Sequence, residues 1–299
     1  MDHSIIQPTI SIITPVYNRA NMLSQCFDSL QNQTLKDFEW IIIDDGSNDN
    51  LEDVVQEFLP RFPICFIKKN NGGKHTALNA SHEYIHGRYV CILDSDDYLV
   101  DTAVERMIKA WGLYESRDDI GIVTFLKGAS AEEPSCMAHK EDEGKPVDIM
   151  RYHRVCIHSA DACEVIRSEL FKKYPFPVFE GENFLSEGAL WNRVSFTHKC
   201  VYINQVIYIA NYLEGGLTKS GRRLRVHNPR GGMYTANLNM NRKNYLSKRI
   251  KNGLLYTCYG FFAKCSPLDM ARHCDSKILM WCCMPVGYLL YMFWKNKYY

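Results

Sequence analysis

The sequence predicts an α/β fold: a parallel sheet covered by helices, followed by a helical C-terminal region. Two observations carry this reading. Within the first hundred residues, short apolar runs alternate four times with segments of helical periodicity, joined by short connections. Each apolar run also stops at a cluster of polar residues, as a buried strand does where it opens into a loop.

In order, Ile10–Thr14 is a short apolar strand stopped by Pro15. Asn21–Gln33 follows as a helix, with Met22, Cys26, Phe27 and Leu30 at helical spacing. Phe38–Ile43 is the second strand, and Leu51–Leu59 a helix with Leu51, Val54, Val55 and Phe58 on one face. Ile64–Ile67, His75–His86 and Tyr89–Leu93 complete the series as strand, helix and strand. Past Asp97 the pattern changes. Thr102–Tyr114 reads as a helix, Ile120–Leu126 as a strand, and the polar segment Gly128–Pro146 as a mobile loop. Val201–Tyr212 is rich in β-branched and aromatic residues, which predicts a strand, and the chain from Asn228 onward reads as helical. No internal repeat is present.

Composition sets the outer bounds. A chain of 299 residues can bury roughly three quarters of its unfolded surface. Thirty-five Lys and Arg against 34 Asp and Glu leave a net charge of +1, which argues against binding nucleic acid by phosphate neutralisation. With 14 Phe, 18 Tyr and 5 Trp, the chain is not a disordered one. The 12 cysteines are scattered with no C-x-x-C spacing, so they read as small buried hydrophobes in a reducing compartment. Met1-Asp2-His3 is not a basic leader and Ile10–Ile13 is too short for a signal peptide, so the expected location is cytoplasmic.

In an open α/β sheet, ligands bind at the carboxyl ends of the strands. Four polar clusters fall there: Pro15-Val16-Tyr17-Asn18, Asp44-Asp45-Gly46-Ser47, Asn70-Asn71-Gly72-Gly73-Lys74 and Asp94-Ser95-Asp96-Asp97. Together they offer an aromatic ring, a carboxylate pair, a cation beside two glycines and a carboxylate cluster, a set suited to a nucleoside diphosphate with a divalent cation. A strand-end carboxylate can accept the imide N–H of uracil or guanine. Three crowded carboxylates are costly without a compensating cation, and hard oxygen ligands indicate Mg2+ or Mn2+. Taken singly, the first carboxylate pair also reads as an ordinary turn and the acidic cluster as a solvated cap for the helix from Thr102. The glycine pair is not a Walker A loop, because Lys68 stands at the first glycine position and His75 follows Lys74. His82-Glu83-Tyr84-Ile85-His86 matches a zinc-peptidase pattern, but Gly87 and the next strand follow at once, so these read as helix-surface polar residues.

The ordered series Ser11–Arg19, Trp40–Asp49, Asn71–Asn79 and Leu93–Asp97 strongly resembles family 2 glycosyltransferases of the GT-A fold. That resemblance implies a Rossmann-like, mostly parallel sheet flanked by helices, with a C-terminal helical extension. It implies a nucleotide-sugar-binding half over 1–100 and an acceptor-binding half over 101–218, while the C-terminal helical region over 219–299 is read from the sequence pattern and rests on the likeness hardly at all. Carried over by position, Pro15 and Tyr17 border the base, Asp45 receives its imide N–H, and Lys74 lies near base or diphosphate. Asp94 lies near the ribose, and Asp96 holds a Mg2+ or Mn2+ that bridges the diphosphate. The segment Phe184–Arg193 looks like the acceptor-side acidic motif. Glu187 is then the catalytic base, followed here by Gly188, with Glu182 in reserve.

The implied reaction is inverting transfer from a nucleotide-sugar, with UDP preferred, to a hydroxyl of a glycan or lipid-linked sugar in cell-surface polysaccharide or glycolipid synthesis. A sugar-phosphate nucleotidyltransferase would carry an N-terminal G-x-G-T-R loop where Thr14-Pro15-Val16-Tyr17 stands. A non-catalytic nucleotide-sugar-binding protein is the other alternative, and the intact Asp96 and Glu187 count against it. Ile278–Trp294 is uncharged but interrupted by Pro285 and Gly287. It reads either as an interfacial anchor at the cytoplasmic face of a membrane or as a helical hairpin packed on the core.

Overall fold

The computed structural model describes residues 7–135, 137–148, 162–210 and 221–298. The expected boundary at Thr218 and the last two residues of the strand expected over Val201–Tyr212 lie outside the described residues. The chain divides into two compact units, one of Met1–Pro175 with Val194–Asn211, the other of Phe176–Arg193 with Tyr212–Tyr299.

Among the described residues, the first unit is an α/β domain on a nine-stranded sheet. Its opening half follows the sequence closely: β1 (Ile10–Val16), α1 (Leu23–Gln31), β2 (Phe38–Asp44), α2 (Leu51–Gln56), β3 (Ile64–Lys68), α3 (Lys74–Ala80) and β4 (Tyr89–Ile92). The later half adds β5 (Tyr98–Leu99), α4 (Ala103–Gly112), β6 (Ile120–Gly128), β7 (Pro146–Asp148), β8 (Ala162–Arg167), α5 (Ser168–Lys173) and β9 (Lys199–Ile209). The sheet order is β3-β2-β1-β4-β8-β6-β9-β5, with β7 on β9. Strands β3, β2, β1 and β4 run parallel, and β6 pairs parallel with β9. The pairings β4–β8, β6–β8, β5–β9 and β7–β9 are antiparallel. Every residue of β1 and β2 is buried, as parallel strands covered on both faces must be.

Chain order reverses between β1 and β4, so the sheet has its topological switch point there. This is the crevice into which the loops after β1 and β4 project. Trp40 fills the layer beneath β1 and donates its indole N–H to Thr14 Oγ1 at 2.8 Å, which satisfies a polar atom that burial would otherwise strand. Phe27 of α1 stacks on Phe58 at 4.1 Å and closes the same layer.

Three local expectations change in this unit. Pro15 does not stop β1; the strand runs on through Val16, paired with Asp44. Leu93 N–H bonds the Ile13 carbonyl, so backbone groups at 13 and 15 face β4, whose pairing ends at Ile92. The missing N–H of Pro15 therefore falls beyond a partner and costs the ladder nothing. The helix expected over His75–His86 ends at Ala80 and tightens into a single 3-10 turn over Ser81–Tyr84, with Ile85 extended. The described part of Gly128–Pro146 is fastened rather than mobile. Ala138 N–H and carbonyl both bond the Asn204 side chain, Gly144 N–H bonds the Tyr202 carbonyl, and Tyr114 donates its hydroxyl to the Gly144 carbonyl.

The second unit is helical: α6 (Gly188–Val194, its last residue in the first unit), α7 (Gly221–His227), α8 (Pro229–Asn239), α9 (Leu246–Phe262), α10 (Pro267–Arg272) and α11 (Lys277–Tyr298). The expected interruption at Pro285 and Gly287 is absent, and α11 is one continuous helix. Gly287 marks the closest approach to α9, where an added Cβ would strike Thr257 Oγ1 and lie 3.1 Å from the Leu254 carbonyl oxygen. Pro285 lies on the exposed side, so the carbonyl it leaves unbonded faces outward. Gly287→Ala is accordingly expected to cost about 1–3 kcal/mol by overpacking, more than the ~1 kcal/mol of helix propensity it returns. Urea unfolding measures this, and adding Thr257→Ala should recover most of the loss.

Candidate active site

The loops after β1, β2, β3 and β4 form one cross-braced edge. Gly46, at φ 80°, makes the turn after β2 and leaves room for the Asn71 backbone, which a Cβ would meet at 2.7 Å. Asn18, also at positive φ, accepts the Asn48 N–H through Oδ1 at 2.8 Å and donates its own N–H to Ser47 Oγ at 3.0 Å. Asp49 Oδ2 accepts the Ala20 N–H at 2.9 Å. The loop after β1 is thus hung on the loop after β2.

Asp45 joins the second loop to the third. Its side chain is buried, and four donors of the chain converge on it. Lys69 Nζ at 2.5 Å and Gly72 N at 3.1 Å bond Oδ1, while Gly73 N at 2.7 Å and Asn71 Nδ2 at 3.2 Å bond Oδ2. A carboxylate offers about four lone-pair positions, and all are taken. A base imide therefore reaches Asp45 only by displacing one of these donors. Lys69 and Asn71 are contributors that sequence reading gave no role, although both flank the Gly72-Gly73 motif.

The carboxylates after β4 are compensated differently from the sequence expectation. Asp94 pairs with Lys74, the first residue of α3. Asp96 pairs with Arg19 Nη1 at 2.5 Å and keeps its side chain 17% exposed. Asp97 is buried and accepts the Tyr208 hydroxyl at 2.8 Å, while the same Tyr208 oxygen accepts the Asp94 N–H at 3.0 Å. Lys127 lies 4.0 Å above the Tyr208 ring. Among the described residues no three His, Cys, Asp or Glu side chains gather to hold a metal. Within the chain itself, Lys74, Arg19, Lys127 and the Tyr208 hydroxyl compensate the crowding after β4. What remains fits a narrower cation site, because Mg2+ is commonly held by one or two carboxylates together with substrate phosphates and water. Asp96, partly exposed at the tip of the cluster, fits that description.

Electrostatics separate the three acids. Burial alone would raise Asp94, but Lys74, Lys127 and Arg19 hold its carboxyl below the usual range. Asp97 is pushed up to about 6, first by burial and then by the Asp94 and Asp96 charges, against the Tyr208 hydrogen bond. Its folded pKa lies above the unfolded one, so the stability it contributes is full below pH ~4 and is lost as pH rises through about 6. Asp97→Asn should therefore gain on the native chain by about 1–3 kcal/mol between pH 4.5 and pH 7.5, read by urea unfolding. Parallel pH profiles for the two proteins would contradict this.

Tyr17 directly follows β1 and is 46% exposed. Pro15 is inside β1, one residue short of the loop. The residues of the zinc-peptidase pattern do not share a helix surface: His82 lies in the 3-10 turn and His86 beyond it, and each has another partner. His82 packs edge-on against Phe171 at 5.0 Å, whereas His86 Nδ1 bonds Glu39 at 2.9 Å.

In the second unit, Glu187 immediately precedes α6, and its carbonyl accepts the Leu190 N–H at 2.8 Å. Glu182, the reserve base, has a structural task. Its carboxylate oxygens accept the Arg230 and Gly231 N–H groups at 2.7 and 2.8 Å, which caps the start of α8. Asn228 Oδ1 accepts the Asn183 and Phe184 N–H groups, fixing the segment that leads to Glu187.

An α/β sheet with its polar side chains pooled at the switch-point edge defines the class of proteins that bind ligands at strand tips. The chain belongs to a particular family within it, glycosyl transferase family 2, whose description matches residues 11–174. It is 43% identical over 103 residues to chondroitin synthase of Pasteurella multocida (strain Pm70), covering 34% of this chain and 11% of that one. This chain therefore spans about a tenth of that relative's length. Among solved structures, S. aureus TarS 1–349 in complex with UDP superposes with a TM-score of 0.59 at 14% identity, covering 85% of this chain and 72% of that chain. The mannosyltransferase PcManGT from Pyrobaculum calidifontis, in complex with GDP-Man and Mn2+, superposes with a TM-score of 0.57 at 14% identity, covering 98% and 84%. These likenesses bear out the GT-A fold expected from the sequence.

Proposed function

We propose that the chain transfers a sugar from a nucleotide-sugar, with UDP the preferred nucleotide, to a hydroxyl of a glycan or lipid-linked acceptor in cell-surface polysaccharide or glycolipid synthesis on the cytoplasmic side. The observation that carries this reading is the braced strand-tip cluster of Tyr17, Asp45, Lys74, Asp94 and Asp96 in a family 2 chain. UDP bound to TarS and GDP-Man with Mn2+ bound to PcManGT support a nucleotide-sugar donor.

In this reading Tyr17 and Pro15 border the base. The base imide N–H bonds Asp45 in exchange for the Asn71 amide, the longest of its four contacts. Lys74 turns from Asp94 toward the diphosphate, which leaves Asp94 for the ribose hydroxyls. Asp96, released from Arg19, would hold a Mg2+ or Mn2+. When bound, that cation neutralises charge on the departing nucleoside diphosphate. The acceptor oxygen attacks the anomeric carbon and the bond from that carbon to the phosphate oxygen breaks, which inverts the centre. The acceptor proton passes to the Glu187 carboxylate. The test is thermal stabilisation by UDP-, GDP- and dTDP-sugars with and without Mn2+. Stabilisation by a UDP-sugar that depends on metal is the expected result; indifference to all three donors would remove the reading.

A further inference from the structure

The C-terminal helix presents two apolar faces and has a protein partner for one. Met280, Cys283, Gly287 and Trp294 are buried within the second unit, at the three-, four- and seven-residue spacing of a single helix face. Ile278, Trp281, Val286, Leu289, Met292 and Phe293 point the other way, with Ile278, Leu289 and Phe293 exposed by 84, 67 and 63%. From 278 to 293 the outward face carries no charged side chain over about 22 Å of helix. Leu246 and Ile250 of α9 are exposed as well, and the Ile250 carbonyl accepts from Cys283 Sγ.

Charge identifies what this face meets. Residues 221–298 hold fourteen Lys and Arg against two acids, Asp269 and Asp275, in a chain whose overall charge is only +1. Lys277 opens α11 and Lys295 and Lys297 close it. Cations also lie against rings near its end: Arg222 over Trp294 at 5.1 Å and Lys295 over Tyr291 at 5.8 Å. Rings and long cationic side chains that put an apolar stem beside a charged tip suit the boundary between hydrocarbon and headgroups.

We propose that the outward face of α11 docks on an anionic lipid surface, lying in the plane of the interface rather than crossing it. By length and composition α11 could cross a membrane, but a crossing would have to give up the packing of its Met280, Cys283, Gly287 and Trp294 side within the second unit, whereas lying in the interface keeps it. The basic residues around it engage the lipid phosphates, each worth about 1 kcal/mol near the surface. This surface is independent of donor chemistry, so its test does not read activity.

The experiment is flotation of the full chain with phosphatidylcholine vesicles, with and without phosphatidylglycerol. Binding that requires phosphatidylglycerol and weakens with salt is expected. L289E/F293E, at two exposed positions, should lower it by at least about tenfold with an unchanged far-ultraviolet spectrum. Trp281 emission should shift to the blue on these vesicles, the shift should vanish in W281F, and lipids brominated near the headgroup should quench it. Equal binding to both vesicle types or to neither would overturn the proposal. So would quenching from mid-bilayer, which means a crossing helix, or self-association without lipid that L289E/F293E abolishes, which means a second copy covers the face.

Discussion

Asp45→Ala is expected to lower the stability of the first unit by about 3–5 kcal/mol, the range for removing one partner of a buried charge pair. The substitution strands the Gly72 and Gly73 N–H groups and takes the carboxylate from Lys69 Nζ, which keeps the Asn70 carbonyl and Thr76 Oγ1, and from the Asn71 amide, which keeps the residue 45 carbonyl. Because Gly73 precedes Lys74 at the start of α3, the cation loses its anchorage as well. Asp45→Asn keeps one acceptor oxygen but turns an N–H2 toward donors, so it should fall between native and alanine. Urea unfolding separates the three. An alanine variant within 1 kcal/mol of native would show that the bracing does not hold these loops.

Glu187→Gln is expected to lower kcat by about 10²–10⁴-fold, the usual contribution of a general base. Glutamine keeps the size of the side chain, and the Glu187 carbonyl that opens α6 is untouched, so the fold should persist. Donor affinity should stay within about twofold, since the proposed task of Glu187 concerns the acceptor proton alone. Turnover near native would remove the assignment, and a loss confined to donor affinity would reassign the residue to binding. Glu182 gives a useful contrast. As a cap of α8 it should affect unfolding before it affects rate.

Much of the fold was legible because β1 and β2 are buried throughout and β4 nearly so, which leaves apolar runs cut off at polar tips; the half-buried β3 is apolar over Ile64–Ile67 as well. The tips were readable for the same reason: a polar residue at the end of a buried strand stands out. What was not legible depends on long-range partners. Three acids after β4 suggested a compensating cation, but Tyr208, more than a hundred residues later, accepts the Asp94 N–H and donates to the Asp97 carboxylate. Arg19 sat in a motif without a role until its guanidinium was found on Asp96. Pro15 looked like a stop because sequence alone does not tell which neighbour a backbone N–H faces. Pro285 and Gly287 looked like breaks for a related reason, since only the packing of α11 on α9 shows one facing outward and the other seated against Thr257.

Calorimetric titration of UDP with and without Mn2+ tests whether the acidic groups after β2 and β4 take up a nucleoside diphosphate with a divalent cation. Native chain and Asp96→Ala are compared. The account predicts that Mn2+ raises the affinity of the native chain at least about tenfold, some 1.4 kcal/mol, and leaves Asp96→Ala unaffected. UDP binding that ignores both Mn2+ and the loss of Asp96 would contradict it.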